Sequence, residues 1–396
     1  MTAGHTNTPG KSIVIVSGPS LVALIPMAVA PAMPAIASAF PESGDGPFFA
    51  QMVMAAPAVM VMLGAPIGGW LSDRVGRRIV LLTALAFFVA AGIFPMMAPN
   101  AVSLIISRLA LGAAGGAILT STFALAGDYV GHARERILGF AGAGAASCAI
   151  VAMTFGGKLV DAFGWRGPFV LYLTAVPVLL LSFFVIASAP GQAHAVKLAS
   201  KHSVRGYVPI YALTCVLTIG LFMPGIQGPF LLKADGINSA ATIGLVLSSY
   251  SLTAAFAAAC YGPLRRVLTS NSVLAVAALS LGAGSLALAT STSIVQLLAG
   301  CIVTGIGAGL VEPVTVSLIL GRAHPEIRQR AVGLLLSSVF LGQFLNPVVL
   351  SPLRAVFDVH GAFVVVGSVF VIFSILILWM GIGKASEAAT AASTQN

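Results

Sequence analysis

Twelve long apolar runs follow one another through this 396-residue chain with almost no charge inside them, and they restrict its fold more than any single motif. They lie at about residues 12–40, 47–71, 78–98, 101–126, 136–160, 166–188, 206–232, 240–264, 271–290, 294–320, 331–357 and 361–382. A helix that spans a bilayer needs about 20 mostly apolar residues, and each run supplies them. Closed barrels are the other spanning form, but their strands alternate, whereas these runs are continuously apolar. Only 8% of the residues are charged and the mean hydropathy is +1.02, too greasy a mixture to cover a water-soluble body. The first run carries Lys11 before it and the small residues Ala35, Ala37 and Ala39 near its end, as a cleaved leader would. It is long for a leader and eleven similar runs follow, so it is read as a retained first helix. The expected fold class is therefore an all-α membrane protein of twelve transmembrane helices.

The net charge of +9 does not point to nucleic acid, because of where the bases fall. With both termini on the cytoplasmic side, the inner segments hold Lys11, Arg74, Arg77, Arg78, Arg134, Arg136, Lys197, Lys201, Arg205, Arg265, Arg266, Arg322, Arg328, Arg330 and Lys384. The outer segments hold Lys158, Arg166, Lys233 and Arg354, and only Arg108 is left over, within the fourth run. That asymmetry is the positive-inside bias of multi-pass proteins. It predicts a cell-membrane location, with lipid as the partner and no nucleic acid.

The polar stretch Pro190–Arg205 divides the runs into six and six, giving an N-terminal half at 1–189, a cytoplasmic linker at 190–205 and a C-terminal half at 206–396 ending in a short polar tail. An offset of 193 or 194 residues brings landmarks of one half onto the other. Pro31 falls on Pro224, Gly69 on Gly262, Gly112 on Gly305, Gly116 on Gly309, Arg136 on Arg330 and Gly167 on Gly361. A nearly constant offset over separate stretches is the mark of an internal duplication.

Between the second and third runs stands Gly69-Trp70-Leu71-Ser72-Asp73-Arg74-Val75-Gly76-Arg77-Arg78, dense in charge for so apolar a chain. Its G-x-x-x-D-R-x-G-R-R spacing closely resembles the signature loop of the major facilitator superfamily. With twelve spans in two halves, the resemblance covers essentially the whole chain. It implies two pseudo-symmetric six-helix bundles that expose a central site to each membrane face in turn. It also implies a conformational latch of Gly69, Asp73, Arg74, Gly76, Arg77 and Arg78 together with Asp128. In the family, the acid at Asp73 meets the start of the eleventh span near Ala331, and the arginine at Arg77 pairs with the acid at Asp128.

Arg108-Leu109-Ala110-Leu111-Gly112 resembles the family's second motif, with Leu111 where a glutamine is commonly associated. A charge inside a span costs about 3 kcal/mol on the lenient insertion scale, so it is normally paired or functional. The resemblance gives Arg108 a part in proton coupling or substrate binding; a structural arginine held by backbone carbonyls is the other reading. Glu312 is the one carboxylate well inside a run, directly before Pro313. It suits a proton carrier or a site for a substrate cation. At about 1.5 Å per residue, Arg108 and Glu312 lie roughly 10 and 27 Å below the outer ends of their helices, too far apart in depth to pair.

In the family the first, fourth, seventh and tenth helices line the cavity. Met27, Met33, Thr120, Phe123, Met223 and Gln227 are the candidate binding residues in or near them, joined by Tyr250, Gln343, Asn346 and Glu312. Flexible methionines suit varied apolar ligands. The chain has no phosphate-binding loop, no metal-ligand spacing and no nucleophile with a base, so no enzyme, cofactor or metal is expected. The resemblance is strongest to twelve-helix drug:proton antiporters and sugar or metabolite exporters, although of the antiporter pattern in the fifth span only Gly156-Gly157 remains. The expectation is a monomeric secondary transporter that exports a small apolar neutral or cationic compound against protons. An importer or facilitator of a small organic solute, or a transporter-like receptor, is the alternative.

Overall fold

The computed structural model describes residues 9–129, 131–186, 204–324 and 327–393. Residues 190–203 of the expected linker, including Lys197 and Lys201, lie outside them, and of Lys384 only the backbone is described. Among the described residues the regular structure is helical throughout. The helices are α1 (Pro9–Met27), α2 (Met33–Ala39), α3 (Gly46–Val75), α4 (Arg77–Ile93), α5 (Ala101–Ala126), α6 (His132–Phe163), α7 (Ala175–Val185), α8 (Val208–Leu221), α9 (Met223–Ala234), α10 (Ala240–Ala259), α11 (Tyr261–Val267), α12 (Ser270–Ala289), α13 (Ile294–Arg322) and α14 (Arg328–Ser393). Among the described residues, ten stretches are long and apolar enough to cross a membrane. Two of them, His132–Val185 and Arg330–Trp379, run to 54 and 50 residues. Each of those is long enough for two crossings, so the ten stretches are consistent with twelve spans.

Several runs that look continuous in the sequence are broken in the structure, and proline is the physical reason. Proline lacks the N–H that closes a helical turn and its ring crowds the preceding one. The first run breaks between α1 and α2 at a 3-10 turn, Ala30–Ala32, among Pro26, Pro31 and Pro34. The seventh breaks between α8 and α9 at Phe222, beside Pro224. Pro31 and Pro224 are the pair that the repeat offset superposes.

The duplication is legible in backbone geometry. The chain leaves α6 through Gly164 at φ 68° and ψ −169°. It turns inside α14 at Asp358, with φ 59° and ψ −170°. These two left-handed breaks are 194 residues apart. The close approaches repeat as well. A Cβ at Gly112 would strike the Pro57 carbonyl and one at Gly305 would stand 2.6 Å from that of Tyr250. One at Gly116 would stand 2.6 Å from the Val61 carbonyl and one at Gly309 would strike that of Ala254. Both glycines and both opposing residues are offset by 193. In lipid, where apolar burial does not drive helices together, such backbone-to-backbone seams let α3 meet α5 and α10 meet α13 at van der Waals range.

The chain divides into two compact units. The first comprises the described residues within Met1–Ala199 together with Leu232–Ser248, and the second those within Ser200–Leu231 and Ser249–Asn396.

Candidate functional site

The signature segment is not a loop. Helix α3 runs through Asp73 to Val75, Gly76 alone makes the turn at φ 95°, and α4 begins at Arg77. Arg77 and Arg78 therefore stand at a helix N-terminus, where the backbone dipole disfavours cations. Each is compensated by the end of another helix. Arg77 donates to the Asp128 carboxylate at 3.1 Å and to the Ala124 carbonyl at 3.4 Å in the last turn of α5, and Arg78 donates to the Phe183 carbonyl at 2.8 Å in the last turn of α7. Those carbonyls are among the ones a helix leaves unmade at its C-terminus. Asp128 takes a second cation, Lys11 Nζ at 2.9 Å from the start of α1, and Ser12 meets the Tyr129 hydroxyl alongside. Burial pushes the Asp128 carboxyl up, but the hydrogen bond and charge of Lys11 with those of Arg77 outweigh it and hold the group below its ordinary range. The cluster thus ties together the ends of α1, α4 and α5 at one edge of the first unit.

Asp73 is exposed, and among the described residues no cation lies within ion-pair distance of it. Arg74, also exposed, lies over the Trp70 ring at 4.0 Å. Gly69 comes close to α5, where an added Cβ would stand 3.3 Å from the Thr120 methyl.

Arg108 is fully buried and fastens four pieces of the first unit. Its Nε donates to the Val53 carbonyl at 3.0 Å, Nη2 to the Ile25 carbonyl at 2.6 Å and Nη1 to the Tyr172 hydroxyl at 2.8 Å. Both carbonyls are orphans of proline-bearing segments. The residue four past Val53 is Pro57, which has no N–H to give. Ile25 lies in the last turn of α1, where Val29 N–H goes to Pro26 instead. The Tyr172 hydroxyl donates to the same Ile25 oxygen at 2.9 Å. The arginine thus satisfies backbone groups that would otherwise be stranded in an apolar interior.

The second unit has the matching wound and a different patch. Ile219, offset by 194 from Ile25, leaves its carbonyl free at the end of α8, and Asn346 Nδ2 donates to it at 2.8 Å. Asn346 Oδ1 accepts from Gln227 Nε2 at 3.2 Å, and Arg354 donates to Gln227 Oε1 at 3.4 Å. The Tyr250 hydroxyl donates to the Leu221 carbonyl at 2.5 Å in the same break. Gln227 and Asn346 are fully buried, and Met223, Tyr250 and Gln343 are buried with them.

In the first unit Met33 is buried, Met27 half-buried and Phe123 exposed, while the Thr120 hydroxyl is spent on the Ala65 carbonyl at 2.9 Å. Glu312 projects from the middle of α13 with its side chain exposed. Among the described residues no cation stands within ion-pair distance of it. Arg108 and Glu312 therefore have separate surroundings, one closed and satisfied, one open.

The sequence matches the Major Facilitator Superfamily over residues 20–232 and again over 210–395, which together take in nearly all of it. The chain belongs to that superfamily. Relatives of this superfamily member include the multidrug transporter MdtP of Bacillus subtilis, 34% identical over 31% of this chain and 22% of that protein. The methylenomycin A resistance protein of Streptomyces coelicolor is 28% identical over 45% of this chain and 38% of its own. The staphyloferrin B transporter of Staphylococcus aureus aligns more fully, at 20% identity over 83% and 82%. Thus the chain spans well under half the length of the first two. A solved peptide transporter of the POT type shares the fold with a TM-score of 0.76 at 13% identity, over 96% of this chain and 95% of that one. This facilitator-superfamily chain is accordingly a multi-pass membrane protein of a transporter family.

Three contributors in this superfamily member escaped the sequence reading. Lys11 counted only as a charge before the first run and on the inner side, and neither Tyr172 nor Asp161 was singled out. Their signals are spatial.

Proposed function

We propose that the chain is a proton-coupled exporter of small, largely apolar, neutral or cationic compounds, working by alternating access from the cell membrane with both termini inside. The observation that carries this reading is Glu312. A carboxylate halfway along a membrane helix is retained at a cost of about 2.5–3.5 kcal/mol, and here no protein cation offsets that cost among the described residues. An exposed, unpaired carboxylate at that depth can exchange a proton for an organic cation at one position. Relatives named for multidrug transport and for methylenomycin A resistance support export over import.

The other candidate residues fall into place around this. Arg108, closed on backbone carbonyls, acts by positioning the broken first helix rather than by carrying protons. Gln227, Tyr250 and Asn346 hold the matching break in the seventh. Met27 and Phe123, the less buried of the apolar candidates, are the side chains left to touch a ligand in the first unit. The cluster of Lys11, Arg77 and Asp128 keeps the inner edge of that unit together, and Asp73 is the acid available to latch it in the alternative state.

The test is transport of ethidium, an apolar organic cation, in sealed proteoliposomes with an imposed pH gradient. Movement of the dye should follow the gradient in the native chain and be lost in Glu312→Gln. Exchange of equal rate with and without the gradient, in both proteins, would show a facilitator and sink the coupled reading.

A further inference from the structure

Asp161 lies in the last turn of α6, at the end of that helix remote from the Asp128 cluster. Its carboxylate reaches the start of α10. Oδ1 accepts the Ala240 N–H at 2.8 Å, and Oδ2 accepts the Ala241 N–H at 3.0 Å and the Ser239 hydroxyl at 2.7 Å. All these residues belong to the first compact unit. A helix normally satisfies its first amides with the side chain just before it. Helix α10 does so for one of them, since Ser239 Oγ accepts the Thr242 N–H at 3.2 Å. The carboxylate from α6 supplies acceptors for the first two amides, Ala240 and Ala241, which that cap does not reach. What it adds is a junction, strengthened by placing negative charge on the positive end of the helix dipole.

Behind this junction the two helices meet backbone to backbone. A Cβ at Gly157, one turn back from Asp161, would strike the Ala240 carbonyl, and one at Gly244 would strike the carbonyl of Met153. Gly156 lies against the Ala28 carbonyl, where a Cβ would stand at 2.8 Å. The Asp161 set fastens α6 to α10 at the mouth of this seam. Asp161 and Ser239 are exposed there, so water can replace each bond as it breaks. Lys233 lines the same recess. The fastening is thus strong enough to hold a closed seam and cheap enough to release.

We propose that Asp161 is a gate-positioning residue of the transport cycle. Its carboxylate holds α10 against α6 in the state recorded here and releases it when this end of the pathway opens. No substrate touches it. This rests on alternating access, and it is tested without substrate or proton gradient, so it can fail while coupled export stands.

The experiment is hydrogen–deuterium exchange of the full chain in lipid nanodiscs, comparing the native protein with Asp161→Asn and the milder Ser239→Ala. The asparagine turns an NH2 group toward amides that need acceptors. Peptides covering residues 239–246 should exchange on the order of tenfold faster in Asp161→Asn, with a smaller change of the same sign in Ser239→Ala. Peptides covering residues 74–80, at the opposite end, should exchange more slowly, because one end closes as the other opens. A cap that merely braces α10 would speed exchange at 239–246 and leave 74–80 unchanged or faster, which overturns the proposal. Unchanged exchange at 239–246 overturns it too.

Discussion

Replacing Tyr172 with phenylalanine deletes one oxygen atom from a fully buried site and nothing else. That oxygen takes part in two hydrogen bonds, donating to the Ile25 carbonyl at 2.9 Å and accepting from Arg108 Nη1 at 2.8 Å. The first is a neutral bond within a membrane bundle, and such bonds average about 0.6 kcal/mol because the unfolded chain in lipid also finds partners. The second involves a cation with no water to turn to, which places it at about 1.5–3 kcal/mol. Together they set the cost of Tyr172→Phe at roughly 2–3.5 kcal/mol. In an Arg108→Met background the charged bond is already gone, so the same change should cost only about 0.6 kcal/mol. The coupling energy between the two sites is then about 1.5–3 kcal/mol. Equilibrium unfolding of the four proteins in mixed micelles, followed by far-UV circular dichroism, measures each corner of the cycle. A cost below about 0.5 kcal/mol for Tyr172→Phe, or an equal cost in both backgrounds, would refute the claim that Arg108 is held by Tyr172 as a backbone clamp.

Other consequences are as direct. Gly309→Val, which drives a side chain into the Ala254 carbonyl, should cost about 3 kcal/mol or more in unfolding assays, whereas Gly262→Val, with open space around it, should cost less than about 1. Asp128 has its folded-state pKa depressed, so its contribution is whole above about pH 4 and lost as pH falls through the depressed value. Asp128→Asn should therefore lower the melting temperature at neutral pH and flatten the acid limb of the stability profile. At Asp358 the positive φ costs about 1–3 kcal/mol, partly offset by the bond from Gly361 N–H to its Oδ1 at 2.9 Å. Asp358→Ala keeps the strain and loses the bond, so it should destabilise in the same assay, while Asp358→Gly, which sheds both, should be nearly neutral.

What could be read from the sequence was whatever leaves a mark on side-chain type. Spans of twenty apolar residues announce helices, and the 193-residue offset of Gly112 and Gly116 announces a duplication. The opposing partners of those glycines, Pro57, Val61, Tyr250 and Ala254, share no chemistry, because it is their carbonyls that make contact. Backbone atoms carry no sequence signal. The same reason hid the surroundings of Arg108. Pro57 shows in the sequence that Val53 will lack its helical partner, but nothing there says that an arginine 55 residues away will supply one. In the second half an asparagine from α14 does the equivalent work, so the offset that aligns the breaks does not align what heals them. Lys11 was legible as a charge and not as a neighbour of Asp128, since that contact joins residues 117 apart.

The glycine seams bear on how such a molecule could yield. Side chains that interlock can swap rotamers and slip past one another in small steps. A carbonyl lodged against a bare Cα has no alternative pose, so such a contact either stays whole or parts in one step: α3 with α5 and α10 with α13 would travel as fused pairs, and α6 would leave α10 all at once. Evolution can then alter the faces these pairs turn toward a passenger molecule without loosening the pairs themselves, which lets a rigid hull keep its shape while its cargo changes.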